Sequence, residues 1–299
     1  MSRSTWTLLA ILLLLIGLAV IIVQRPGERP RSDVTEVMLV SFDSSAVNHI
    51  EVHSADGTIT LQKDNGVWML ASPIRYRADP TAVETAIGKA RAIPVKSVVS
   101  SNADKYSLFK VDSSGTSLRL YSGNTLLASI YIGKLSSTYN ETYVRKDGAT
   151  DVILADGMFE YIFSKPLKDW RDKSIIAIKR DEIQRVRFVY GDTTFALARV
   201  DSGWTLDGVK AAGAPIERLM GALGGFTADG FIDSTFVTAG KATSVISVNG
   251  IDLRFFKQTG NYAVQGSISP QWFVVNDWKA QSVLKRKAEF ISPSSSSLP

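Results

Sequence analysis

The hydrophobic pattern of this chain opens with one unbroken apolar run and then settles into short alternating segments. The run from Trp6 to Val23 (WTLLAILLLLIGLAVIIV) holds no charge. A helix of that length, rising about 1.5 Å per residue, just spans a bilayer core. After Val37 the period drops to two. Ile50 and Val52 fall on one side, and His49, Glu51 and His53 on the other. Ala55-Asp56-Gly57 turns the chain, Thr58 to Lys63 alternates again, Asp64-Asn65-Gly66 turns it back, and Val67 to Leu70 follows. One apolar face, one polar face and tight turns predict an antiparallel meander. At Asp79-Pro80 the period becomes helical, with Asp as cap, Pro in the first turn and Val83, Ala86, Ile87 and Ala90 as the apolar stripe. Pro94 stops it. Strands are predicted over 117–121, 126–132, 142–145 and 151–154. Asp156 is read as the cap of a short helix that turns Phe159, Ile162 and Phe163 inward.

The same pattern is then written again. From Lys173 the chain reads KSIIAIKRDEIQRVRFVYGDTTFALARVDSGWTL, against VMLVSFDSSAVNHIEVHSADGTITLQKDNGVWML from Val37. At a shift of 136 positions Ile50 meets Val186, Val52 meets Phe188, Leu61 meets Leu197, Trp68 meets Trp204 and Leu70 meets Leu206. The match extends into the helix, pairing Val83 with Leu219 and Ile87 with Leu223. An ungapped match of this extent predicts two copies of one unit. In the second copy a meander is read over 185–206, a helix over about 215–223, and strands over 251–257, 262–265 and 272–275. Asp277 is read as the cap of a last helix, with Trp278, Val283 and Leu284 apolar. Lys285-Arg286-Lys287 lies at its C-terminal end, where cations suit the helix dipole.

The predicted fold is therefore α+β: an N-terminal transmembrane helix, then two tandem, similar units of antiparallel sheet with packed helices. The anchor is placed at 1–24, a linker at 25–36, the units at 37–170 and 171–292, and a disordered tail at 293–299. The linker (RPGERPRSDVTE) is read as extended, because it carries two prolines, a glycine and mixed charges. It reaches at most about 40 Å. A cleaved signal peptide would need small residues before the cut. Gln24-Arg25-Pro26-Gly27-Glu28 has no pair of small residues three and one before a cut, so the anchor is read as uncleaved. Arg3 precedes the span and Arg25, Arg29 and Arg31 follow it, so charge does not decide orientation.

Composition narrows the chemistry. The chain has no Cys, which excludes disulfides, a thiol nucleophile, zinc–thiolate sites and a lipid-modified cysteine. Its net charge of +5 suits an anionic membrane surface without requiring one. Its only histidines, His49 and His53, flank Glu51 on one strand face. Positions four apart on a strand lie roughly 13 Å apart, too far to share one ion, so a solvated polar face is expected. Ser107 and Lys110 have the spacing of a serine–x–x–lysine motif without its partner motifs. No phosphate loop, dinucleotide fingerprint or paired-histidine metal helix occurs. Trp68, Trp204, Trp272 and Trp278 have the surfaces to stack on sugars. Trp68 and Trp204 share the parity of Leu70 and Leu206, which places them in the core. No catalytic, cofactor-binding or metal-binding residue is assigned, and no cofactor or nucleic-acid partner is expected.

Four markers occur in order: Trp68-Met69-Leu70 with Pro73 and Arg77-Ala78-Asp79; Tyr106-Ser107-Leu108; Ile132-Gly133 with Thr142-Tyr143-Val144-Arg145; and Trp170-Arg171-Asp172-Lys173. Together they resemble the bacterial family known as domain of unknown function 4340. The resemblance covers essentially the whole chain after the span, although no second Thr-Tyr-Val-Arg appears in the second copy. It implies a single-pass protein of the inner (cytoplasmic) membrane with its body outside the cytoplasm, associated with ABC transporters of the gliding-motility type. It carries over no catalytic residues. The function expected is that of a non-enzymatic accessory subunit that works by protein contact with integral transporter subunits, with the bilayer held through Trp6 to Val23. The alternative is a binding module for an envelope glycan or polymer. A hydrolase with a Ser/Lys or two-carboxylate site is a third, weaker fit.

Overall fold

The computed structural model describes residues 37–291 apart from 192, 202 and 234–239. The predicted span, linker and tail lie outside these residues. Among the described residues no helix is long and apolar enough to cross a membrane.

The first sheet contains β1 (His49–Ser54), β2 (Gly57–Asp64), β3 (Val67–Ser72), β4 (Tyr76–Arg77), β5 (Ser97–Ser100), β6 (Thr116–Ser122), β7 (Thr125–Leu135), β8 (Glu141–Lys146) and β9 (Val152–Asp156). Its order is β4-β3-β2-β1-β6-β7-β8-β9-β5. The second contains β10 (Arg185–Tyr190), β11 (Thr193–Val200), β12 (Gly203–Leu206), β13 (Val209–Lys210), β14 (Gly230–Ile232), β15 (Ser244–Val248), β16 (Ile251–Lys257), β17 (Asn261–Gly266) and β18 (Trp272–Asn276). Its order is β13-β12-β11-β10-β15-β16-β17-β18-β14, the same path strand for strand. Neighbouring strands in both run antiparallel. The described α-helices are α1 (Pro80–Arg91), α2 (Tyr106–Phe109), α3 (Phe159–Phe163), α4 (Gly213–Gly224) and α5 (Asp277–Val283). The two units are thus similar and mostly β.

The predicted shift is visible in the register. Ile50 pairs with Leu61 as Val186 pairs with Leu197, and Lys63 with Trp68 as Arg199 with Trp204. The shift of 136 ends at the third strand. Five residues separate the paired Leu70 and Tyr76, but only Asp207 and Gly208 separate Leu206 from Val209. Both have positive φ, 47° and 88°, as a two-residue hairpin turn requires. The second copy is therefore three residues shorter here. The buried stripe Val83, Ala86, Ile87 and Ala90 of α1 corresponds to Ile216, Leu219, Met220 and Leu223 of α4. The expected pairing of Val83 with Leu219 is corrected by three residues. Three residues turn a helix by about 300°, so the stripe still overlapped itself under the wrong alignment.

Each sheet buries one face in its own core. The first cluster runs from Val40 to Trp170 and the second from Ile175 to Phe290. Asp79 caps α1 as expected, accepting from the Thr81 and Ala82 amides at 2.9 and 3.1 Å. Two other predicted caps are corrected. Asp156 ends β9 and takes Lys96 Nζ at 3.1 Å, and α3 starts from Met158 without a side-chain cap. Asn276, not Asp277, caps α5, accepting from the Lys279 amide at 2.8 Å. Trp278 is not on the apolar side of α5 but 82% exposed, whereas Ala280 and Val283 are buried. Two residues advance a helix by about 200°, so Trp278 and Ala280 point apart.

Candidate functional site

The face of the first sheet opposite Ile50 and Val52 carries a dense set of polar side chains. Its geometry follows from strand order: β6 lies between β7, its sequence neighbour, and β1, which is remote from it in sequence. Three cross-strand pairs result, His49 with Tyr121, Glu51 with Arg119, and His53 with Ser117. The middle carboxylate is shared. His49 Nε2 lies 3.6 Å from Glu51 Oε1, while His53 Nε2 lies 3.5 Å and Arg119 Nη1 3.9 Å from Oε2. The Tyr121 hydroxyl donates to Oε2 at 3.3 Å, and its ring stacks on His49 at 5.0 Å. Tyr121 is pushed above the usual phenol range, first by burial and then by the neighbouring Glu51 charge. The histidines converge on the carboxylate between them, a meeting that strand spacing alone does not reveal. Among the described residues no three His, Asp or Glu side chains are placed to hold a metal ion.

The outermost pair continues across the sheet. Thr58, His53, Ser117, Tyr131 and Arg145 stand in register on five adjacent strands. His53 Nδ1 lies 2.8 Å from the Thr58 hydroxyl. Arg145 is buried, with its guanidinium 4.2 Å from the Tyr106 ring and 4.5 Å from the Tyr131 ring. It donates to the carbonyls of Val111 and Ala149 at 2.9 and 3.1 Å. Beside this row His53, Ser54, Ser113, Ser117, Arg119 and Tyr131 line a hollow of about 230 Å³.

The four markers resolve into two contacts. Tyr106, at the start of α2, covers Arg145, and Phe109 packs on Tyr143 at 4.7 Å. This crossing needs Gly133, because a Cβ there would lie 2.2 Å from the Phe109 carbonyl oxygen. The first and last markers interlock. Ala78 bridges to Arg171, the Asp79 amide donates to the Trp170 carbonyl at 2.9 Å, and Arg77 Nε pairs with Asp172 at 3.1 Å. Arg171, only 2% exposed, opens the second unit and stands where the two units meet. Its Nη1 donates to both Asp233 oxygens at 2.8 Å, and Nη2 to Gln271 at 2.8 Å. Its guanidinium lies between Tyr76 and Phe231, 4.5 and 3.6 Å from their rings. Markers quoted for resemblance are thus the parts that shape the sheet face and join the units.

The remaining candidates are scattered. Ser107 and Lys110 are both exposed; the bond between them is backbone, and Lys110 closes α2 with φ 57°. Trp68 is core, as expected. Trp204 is only partly buried and lines a hollow of about 300 Å³ with Arg180, Asp181, Arg199 and Glu217. Trp272 packs on Phe256, ring centroids 5.2 Å apart. Lys285 and Lys287 pair with Glu289 and Asp207 at 3.6 and 2.7 Å. Ser117, Arg119 and Tyr131 were not picked out from sequence. The alternation Ser117-Arg119-Tyr121 was the available signal, but it assigns a face only once β6 is known to border β1.

No curated protein matches this chain. The family described as Domain of unknown function (DUF4340) matches residues 68–245, from the first unit into β15 of the second. That match takes in well over half of the 299 residues and all four markers, so the chain belongs to the Domain of unknown function (DUF4340) family.

Proposed function

We propose that this chain is a non-enzymatic accessory subunit of an ABC transporter, held in the inner membrane by residues 6–23 with its body outside the cytoplasm. The observation that carries this reading is an open, apolar sheet edge beside the point where the chain arrives from the proposed anchor. Strand β5 ends the first sheet and has β9 as its neighbour on one side. Its Val98 and Val99 are 54% and 39% exposed. Val37 and Met38, also exposed, bond and bridge to Val95 and Pro94 just before β5. An edge of unpaired backbone groups with apolar side chains is suited to strand addition by a partner. A linker of at most about 40 Å keeps that edge within reach of an integral membrane protein.

The test is co-purification of the transporter subunits with the detergent-solubilised full chain. Val98→Lys should reduce their recovery severalfold at unchanged melting temperature. Equal recovery from a folded Val98→Lys protein would remove the edge from the proposal.

A second reading, a binding module for an envelope glycan or polymer, draws on the tryptophans. Trp278 stands exposed next to Asp277, and Trp204 borders a hollow lined by charged groups. Retention on insoluble cell-wall polymer that is lost in Trp278→Ala, with transporter recovery intact, would favour it.

A further inference from the structure

The repeated unit acts as an internal control on the polar face. Where the first unit pairs His53 with Ser117, the second pairs Val189 with Val245. Where the first pairs Glu51 with Arg119, the second pairs Arg187 with Ser247. The same topology thus accepts valines at the positions of His53 and Ser117, and the fold does not demand polar groups there. Ser117 is moreover 9% exposed, and its hydroxyl has no hydrogen-bond partner within the described protein. A buried hydroxyl left in that state is destabilising, because it has given up water without gaining a partner. A valine at that position would escape the cost.

We propose that the hollow beside this row binds a small oxyanion group, a carboxylate or a phosphate. Arg119 supplies the charge. It lines the hollow, and its guanidinium, 3.9 Å from Glu51 and also bonded to the Tyr121 hydroxyl, carries five N–H donors, more than these two contacts use. The Ser117 hydroxyl is a second donor, a buried atom without a hydrogen-bond partner, and His53, whose Nε2 lies 3.5 Å from Glu51, lines the hollow beside it. Arg145 adds positive potential from behind Tyr131, since its own hydrogen bonds go to carbonyls. Glu51 opposes an anion, but His49, His53 and Arg119 surround its carboxylate at 3.6, 3.5 and 3.9 Å, and Arg119 offsets its charge. The volume selects for size. About 230 Å³ lies below the roughly 300–1,000 Å³ of sites for drug-sized ligands, so one acidic group fits better than a whole saccharide.

The experiment is isothermal titration calorimetry on the detergent-solubilised full chain, with inorganic phosphate and acetate titrated separately at matched ionic strength. Saturable binding of phosphate alone assigns a phosphate group; saturable binding of acetate assigns a carboxylate. Arg119→Gln should weaken the binding at least tenfold, and the double variant H53V/S117V, which copies the second unit, should abolish it. Arg119 is at the rim, so its variant decides the matter even where the double variant fails to fold. No saturable heat from either anion, or unchanged affinity in Arg119→Gln, overturns the proposal. Transporter recovery plays no part in this readout, so the site and the docking edge stand or fall separately.

Discussion

Trp68 packs inside the first core at 6% exposure, with Lys63 Nζ 6.0 Å from its ring centroid. Trp204 holds the equivalent register position and packs against the second core, but it is only partly buried and lines an open hollow. Truncation should separate them. Trp68→Ala should cost about 3–5 kcal/mol of unfolding free energy in urea titrations. Trp204→Ala should cost less, on the order of 1–2 kcal/mol, because less apolar surface is lost. Equal losses would mean that Trp204 is as sealed as Trp68. A second residue-scale prediction concerns acid. Glu141 is buried and bonded to Lys96, which also takes Asp156 at 3.1 Å. The lysine contact, followed by the Thr138 hydroxyl, holds the Glu141 carboxyl below its usual range. A folded pKa below the unfolded one gives stability that is full above about pH 4.3, the unfolded value, and fades as pH falls through the folded one. Lys96 is raised by the same bond, so its share is lost only at alkaline pH. Glu141→Gln should therefore flatten the decline in melting temperature between neutral and acid pH. The second unit already carries an amide there, Asn261 paired with Asn276 where Glu141 pairs with Asp156.

At the scale of elements, Arg171 is the side chain that joins the two units through Asp233, Gln271, Tyr76 and Phe231. Arg171→Met keeps the stem and removes the hydrogen bonds. Asp233 is largely exposed, so it regains water, and the expected loss is about 1.5–3 kcal/mol for bonds to a charged group. Calorimetry should then resolve two melting steps where the wild type shows one; a single, unshifted transition would show the joint to be held elsewhere. The meander and its repetition were legible from sequence, because alternation, Asn-Gly and Asp-Gly turns and an ungapped match all point the same way. The strands left unread were β4, β5, β13, β14 and β15, none longer than five residues, and with them the four-residue α2. Segments that short show too few alternations to register a period. The caps at Asp156 and Asp277 misled for a related reason. Asp and Asn suit a helix start equally, and Asn276 stood one residue earlier. The polar face was half legible: β1 announced its histidines and Glu51, but their partners came from a non-adjacent strand pairing that periodicity does not encode.

At the scale of the whole molecule, the first unit carries the features that have no counterpart in the second. Arg145 under Tyr106 and Tyr131 corresponds by register to Gln265, and His53 and Ser117 to Val189 and Val245. The chain also enters at this unit, beside the exposed valines of β5. The proposed docking edge, ligand hollow and tether would then be gathered on one half, while the second sheet supplies the far side of the Arg171 joint. The proposed tether, at most about 40 Å long, would act by concentration rather than by new contacts. It converts a weak encounter into an intramolecular one, with effective concentrations that reach the millimolar range for short flexible linkers. Residues 37–299 released without the span should therefore fold with an unchanged melting temperature but recover much less transporter in co-purification. Replacing the span with an unrelated single-pass helix and the same linker should restore recovery, since the tether requires only membrane attachment. If the released body binds as well as the full chain, the interface is strong and the anchor is dispensable. If the substituted span fails while folding and membrane insertion are normal, the native span itself contacts the partner and the body is not the sole docking surface.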